Sequence, residues 1–267
     1  MRRSIFTAAV LGLFFVSAPA FAQTFDAAVK RGTLKICTVE GAPYALKSPA
    51  GKWIGHEIDI GERLASDFDL AAEFVPATYG DMMGRLDKGD CDLIAAALAI
   101  EPPRLRQAWF TTPYGESDVR IVVSRKAPSR LADLDKAGTV IGAVAGTPAV
   151  DLAKARLPLA TIEEFPDLIA AERALEAGAV VGLAYKAPIP HLIAAKDSAK
   201  YVVADGDSLA RTADAFAVRR GDADTLNLLN GWVEARTRDG FLAKTDAYWL
   251  TTLDWAERLK PRAAAPK

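Results

Sequence analysis

The chain is poor in the side chains that most often perform catalysis or hold a metal. It has two cysteines and two histidines in 267 residues, and Cys37, Cys91, His56 and His191 show none of the close spacings of a zinc site. A His-rich metal centre and a Ser-His-Asp triad are both poorly supported, and no cofactor is implied. No long run of one charge occurs: 33 basic side chains nearly cancel 34 acidic ones, for a formal net charge of -1. That balance lacks the basic footprint of a nucleic-acid binder. After the first 22 residues, no apolar run approaches the roughly 20 residues a helix needs to cross hydrocarbon.

What is present is an ordinary globular composition, 51% hydrophobic and 25% charged. The length suits one large domain or two of roughly 100–150 residues. The start differs from the rest. Arg2 and Arg3 precede an almost wholly apolar stretch from Ile5 to Val16, and Ala20-Phe21-Ala22 closes it with small residues flanking an aromatic. Residues 1–22 therefore read as a secretory signal peptide. No cysteine follows the cleavage point, so no lipid anchor is expected, and the mature protein is expected free in the periplasm of a Gram-negative cell. That compartment allows Cys37 and Cys91 to pair, whereas two buried apolar thiols fit the sequence equally well; both readings stay open.

Short apolar strands alternate with amphipathic helices. Strands are expected at 33–38, 72–76, 91–99, 119–124, 139–144, 160–165, 179–183 and 216–219, and helices at 59–68, 79–88, 149–155, 167–177 and 222–253, with a break at Gly240. This alternation predicts α/β architecture with ligand crevices at the carboxyl ends of the strands. The Ala/Pro-rich end, 261–267, is expected to be disordered.

Five motifs occur in order: Glu40-Gly41-Ala42-Pro43-Tyr44, Gly51 to Asp59 (Gly-Lys-Trp-Ile-Gly-His-Glu-Ile-Asp), Gly89-Asp90-Cys91-Asp92-Leu93-Ile94, Ile100-Glu101-Pro102-Pro103-Arg104, and Phe110-Thr111-Thr112-Pro113-Tyr114. Together with Gly146-Thr147 and Phe216-Ala217-Val218-Arg219, they make essentially the whole mature chain resemble the bacterial extracellular solute-binding proteins of family 3, the periplasmic amino-acid type. The resemblance implies a two-lobed periplasmic-binding-protein fold (type II) hinged by two crossing strands, with residues 23–122 and 213–260 in lobe 1 and residues 123–212 in lobe 2. It also implies a monomer that closes on a small ligand and hands it to an inner-membrane ABC permease.

Arg104 follows an apolar strand and a proline-marked helix entry, where a guanidinium fork and free N–H groups suit a carboxylate. In the family, an arginine at this position clamps the ligand α-carboxylate, and a threonine matching Thr147 donates from the opposite lobe. Without a ligand role, Thr147 would cap its own helix. Tyr44 falls where the family places an aromatic against the ligand side chain; Tyr114 and Trp53 fit core better. Glu57 and Asp59 most simply cap the helix they begin.

The chain departs from the family at the ligand ammonium. Leu183 ends the run Val180-Val181-Gly182-Leu183, where an aspartate is expected. Ala97 and Ala99 lie in a strand, Ala95 to Ala99, that often offers hydroxyls. Thr38 stands where a charged residue is frequent. A buried ammonium left without these partners is costly by several kcal/mol, so the expected ligand is a carboxylate without an ammonium group. Lys186 either adds a second positive charge, favouring a dicarboxylate, or is a solvated lysine.

Two other functions share the fold. Arg106-Gln107-Ala108-Trp109-Phe110 and Tyr248-Trp249 resemble a cyclohexadienyl dehydratase, which would need Glu163, Glu164 or Glu172 in the cleft as general acid. Leu34-Lys35-Ile36-Cys37 and Gly89 to Asp92 resemble periplasmic accessory proteins of quinoprotein (PQQ) alcohol dehydrogenases, for which a dehydrogenase would be the partner. The primary expectation is a non-catalytic binding protein.

Overall fold

Thr24–Arg31 (α1) leads into the central strand of the first lobe, Thr33–Val39 (β1). This computed structural model describes residues 24–206, 208–251 and 254–259; the expected signal peptide and the expected disordered tail lie outside them. The short strands Leu46–Lys47 (β2) and Trp53–Ile54 (β3) precede His56–Asp67 (α2), Ala71–Ala77 (β4), Met82–Lys88 (α3), Leu93–Ala99 (β5), Pro102–Leu105 (α4) and Ala108–Phe110 (β6). Gly115–Ser124 (β7) then crosses to the second lobe. That lobe holds Val140–Val144 (β8), Pro148–Arg156 (α5), Thr161–Phe165 (β9), Leu168–Ala177 (α6), Gly182–Lys186 (β10), Ile189–Lys196 (α7) and Tyr201–Val203 (β11). Ala210–Arg219 (β12) returns, and Ala223–Arg238 (α8) and Phe241–Asp246 (α9) complete the first lobe.

The main strand path is β4-β1-β5-β12-β7-β10-β8-β9. Within each lobe the neighbours β1 and β4, β1 and β5, β8 and β9, and β10 and β8 run parallel. The lobes meet where β7 and β12 pair antiparallel, from Ala210 opposite Val119 to Asp214 opposite Gly115. Strand β5 is buried at every position, as its unbroken apolar sequence requires of a strand covered on both faces. Ile36, Leu93, Phe216 and Trp232 belong to the first lobe's core, and Ile121, Ile141 and Ala184 to the second's.

The cysteines are paired. Cys37 on β1 and Cys91 just before β5 have Cα atoms 5.6 Å apart and form a disulfide closing a separation of 54 residues. A loop of that length is worth about 4 kcal/mol in the chain-entropy account.

Two local features that the sequence does not show shape the cleft. Strand β10 begins three residues later than the apolar run suggested, because Gly182 to Lys186 is the segment that pairs with β7. Gly182 is required there: a Cβ at this position would lie 2.9 Å from the Val122 carbonyl oxygen, and glycine in a strand marks such close approach. The second feature is a register shift between β5 and β12. Leu98 faces Ala215, but Ile94 faces Ala217, so β5 carries extra residues there and Ala97 adopts a left-handed φ of 46°. Bulges of this kind redirect backbone groups beside functional sites.

Candidate functional site

The cleft is built from strand ends and the turns that follow them. Arg104, on the single turn α4, is buried, and its guanidinium spans the two lobes. One terminal nitrogen donates to the Ala99 carbonyl at 3.0 Å, and the other to the Gly146 carbonyl at 2.7 Å. Glu101 lies 3.0 Å from the same side chain. Proline at the start of α4 suits a helical first turn, which has no use for its missing N–H, and the turn places Arg104 immediately beyond the C-terminal end of β5.

Thr147 stands opposite, before α5. Its hydroxyl donates to the Val144 carbonyl at 2.7 Å rather than capping α5, and its side chain lines the narrow part of the cleft together with Arg104, Ala97, Ala99 and Lys186. That space measures about 20 Å³, enough for about one water. A wider cavity of about 670 Å³ adjoins it, walled by Tyr44, Tyr79 and Tyr185 and edged by Glu40, Asp167 and Glu172. Tyr44 donates its phenolic hydroxyl to the Ala187 carbonyl at 2.7 Å.

Leu183 is not in this group. Leu183, paired with Val122 and Gly142, is fully buried in an apolar cluster, and β10 runs on to place Lys186 at its carboxyl end. Lys186 is not a solvated lysine, since its side chain is 13% exposed. Its Nζ donates to the Ala97 carbonyl at 2.6 Å, lies 2.5 Å from Asp214 Oδ1, and sits 5.7 Å from the Tyr44 ring centre. Asp214 Oδ2 accepts from Ser117 at 2.8 Å. Burial lowers the Lys186 pKa and raises that of Asp214, and their mutual attraction opposes both shifts.

Glu57 does not cap its helix. Gly55 occupies the cap position, while Glu57 is fully buried, accepting from Tyr114 at 2.7 Å and contacting His56 Nδ1 at 2.8 Å. Tyr114 thus belongs to this buried network under the cleft. Asp59 accepts from the Trp249 indole at 2.7 Å, which anchors the C-terminal segment. Trp53 lies outside the cleft, with the Lys47 ammonium 3.5 Å over its ring. Of the acids the dehydratase reading needs, Glu164 pairs with Lys154 at 2.8 Å on the surface, Glu163 is exposed, and Glu172 lines the wider cavity.

Tyr79, Tyr185 and Asp214 were missed by the sequence reading. Tyr79 looked like the first residue of a helix, although α3 begins only at Met82. Asp214 lies mid-strand in β12, whose apolar half alone was visible.

The family model for bacterial extracellular solute-binding proteins, family 3, matches residues 34–252. The chain belongs to this family. Among curated relatives, it is 25% identical to the L-cystine-binding protein of Escherichia coli over 83% of this chain and 84% of that one. It is 24% identical to the cyclohexadienyl dehydratase of Pseudomonas aeruginosa over 53% of this chain and 54% of that one. Among solved structures, an ancestral amino acid-binding protein described as a precursor of cyclohexadienyl dehydratase superposes with a TM-score of 0.79 at 28% identity, covering 86% of this chain and all of that one. These neighbours share the two-lobed type II fold. Among the described residues, no helix is long and apolar enough to cross a membrane.

Proposed function

We propose that this family 3 protein is a non-catalytic periplasmic receptor that captures a small carboxylate lacking an ammonium group and delivers it to an ABC permease. The observation that carries this reading is Arg104: a buried guanidinium at the floor of the interlobe cleft, with one terminal nitrogen donating to the Gly146 carbonyl across the gap and the other to Ala99 beside Glu101. A ligand carboxylate replacing that carbonyl would form charge-assisted bonds to Arg104, which are shorter and stronger than neutral ones. The exclusion of an ammonium follows from the rest of the same narrow space, where Ala97 and Ala99 offer no hydroxyl beside Arg104 and Asp214 is already paired with Lys186. For the same reason, Lys186 supplies no uncompensated charge for a second carboxylate. Tyr44, Tyr79 and Tyr185 give the adjoining cavity an aromatic wall suited to an apolar or aromatic ligand body. The amino-acid ligands in the names of the relatives support the carboxylate end of the site.

The test is the melting temperature of the mature protein against ordinary amino acids and ammonium-free carboxylates, with Arg104→Ala beside the wild type. A ligand at about 100 times its Kd adds roughly 2.7 kcal/mol, a shift of several degrees for a chain of this size. The expected result is a shift with the second group only, abolished by Arg104→Ala. A shift with amino acids overturns the ligand class, and no shift with either group favours the dehydrogenase-accessory reading.

The dehydratase reading keeps one supporting observation. Burial raises the Glu172 pKa, with Lys196 opposing, which is the direction a general acid needs. Glu172 is at the wider cavity and not beside Arg104, so no turnover of prephenate is expected; measurable turnover lost in Glu172→Gln would reverse that conclusion.

A further inference from the structure

A free ligand ammonium in this cleft would look for a carbonyl oxygen, a carboxylate and an aromatic face. All three are present, and all three are occupied by one side chain of the protein itself. Lys186 Nζ reaches the Ala97 carbonyl at 2.6 Å, Asp214 Oδ1 at 2.5 Å, and the Tyr44 ring at 5.7 Å from its centre. The Ala97 carbonyl is available because the β5 irregularity holds that residue at φ 46°, a conformation an L-residue adopts only when its surroundings enforce it. Glu57, an acid packed near Lys186, is committed to His56 and Tyr114.

We propose that Lys186 is a tethered substitute for a ligand ammonium group: it takes the Ala97 carbonyl and neutralises the Asp214 carboxylate, makes the cleft reject α-amino acids, and on removal admits them. The inference rests on the reading of Arg104 as the carboxylate clamp. In the wild type, the charges of Lys186 and Asp214 cancel, so a zwitterion brings a second ammonium to a carboxylate whose charge is already neutralised, with a like charge beside it. Truncation to alanine removes the equivalent of one propylammonium group. It leaves the Asp214 carboxylate and the Ala97 carbonyl buried without that partner, and a buried charge stripped of its partner is strongly unfavourable. An α-amino acid then satisfies both ends at once, its carboxylate at Arg104 and its ammonium at Asp214.

The experiment measures melting temperatures of wild type, Lys186→Ala and Lys186→Ala/Asp214→Asn. The probes are L-alanine, L-glutamine and L-phenylalanine, each beside its ammonium-free counterpart (propionate, 4-carbamoylbutanoate, 3-phenylpropionate), together with n-propylammonium. At least one amino acid is expected to raise the melting temperature of Lys186→Ala by several degrees, to leave the wild type unmoved, and to lose its effect in the double variant. The inference is overturned if amino acids stabilise the wild type, if none stabilises Lys186→Ala, or if n-propylammonium alone does so, which would make Lys186 a structural partner only. Where Lys186→Ala does not fold unaided, its refolding yield with each amino acid against tetramethylammonium, which has no N–H to donate, reads the same preference. Equal yields then overturn the inference. A wild type silent toward every ammonium-free acid defeats the proposed ligand class, while the response of Lys186→Ala to amino acids decides this inference separately.

Discussion

Burial alone would push the His56 imidazole below its ordinary pKa, yet hydrogen bonds with Asp246 at 2.6 Å and Glu57 at 2.8 Å outweigh it and raise the value to about 9. For Glu57, burial works the other way, and the hydrogen bond and charge of His56 overcome it to hold the carboxyl below its usual range. Because the folded-state pKa of His56 lies above its unfolded value near 6.5, its contribution is fully present below about pH 6.5. It is lost as the pH rises through about 9, to a limit of about 3 kcal/mol. Stability is therefore expected to fall across that window, seen as a drop of several degrees in melting temperature, with the fall largely absent in His56→Gln. A wild-type profile that is flat between pH 6.5 and 9 would contradict this assignment. The residues of this network show what a sequence conceals: His56-Glu57 at a helix start reads as a cap because capping is local, whereas the partners Tyr114 and Asp246 are 57 and 190 residues away. Arg104 and Thr147 were singled out by the resemblance to family 3, and both line the narrow part of the cleft.

At the scale of elements, most strands and helices were visible in their apolar periodicity, including the α8 to α9 break at Gly240, which takes a φ of 75°. Strand β10 was the consequential exception. Its apolar run begins before the residues that pair, and only the register with β7 and β8 decides which three residues belong to the approaching turn. That register assigned Leu183 to the core and Lys186 to the cleft. The β5 irregularity left no trace in Ala95 to Ala99, since it depends on the pairing with β12 and not on side-chain type. Gly182 tests the register directly. Gly182→Ala puts a Cβ 2.9 Å from both the Val122 carbonyl oxygen and a Val123 methyl, an overpacking expected to cost about 1–3 kcal/mol, measured by urea denaturation. An unchanged midpoint would mean that β10 does not lie as closely against β7 as described.

Across the whole molecule, the two lobes are joined in the cleft by polar contacts running in both directions. Arg104 and Tyr44 reach from the first lobe to the Gly146 and Ala187 carbonyls, and Lys186 reaches from the second to Ala97 and Asp214. Under the proposed function, a ligand that replaces the carbonyl at Arg104 would keep the lobes together through itself, and only its differential interaction with the closed arrangement would shift the population. The two-lobed architecture was legible from ordered motifs spread over the chain; the charge state of the cleft was not, because it depends on three strands that converge only in the fold. The central claim is that the cleft recognises a carboxylate and refuses an ammonium. It is tested most directly by isothermal titration of the wild-type protein with pairs that differ only in that group, such as 3-phenylpropionate and L-phenylalanine, drawn from the series that stabilises it. The account predicts that the amino acid binds at least roughly a hundredfold more weakly, as expected when a buried charged group loses about 3 kcal/mol of hydrogen bonding. Equal affinities, or tighter binding of the amino acid, would contradict it.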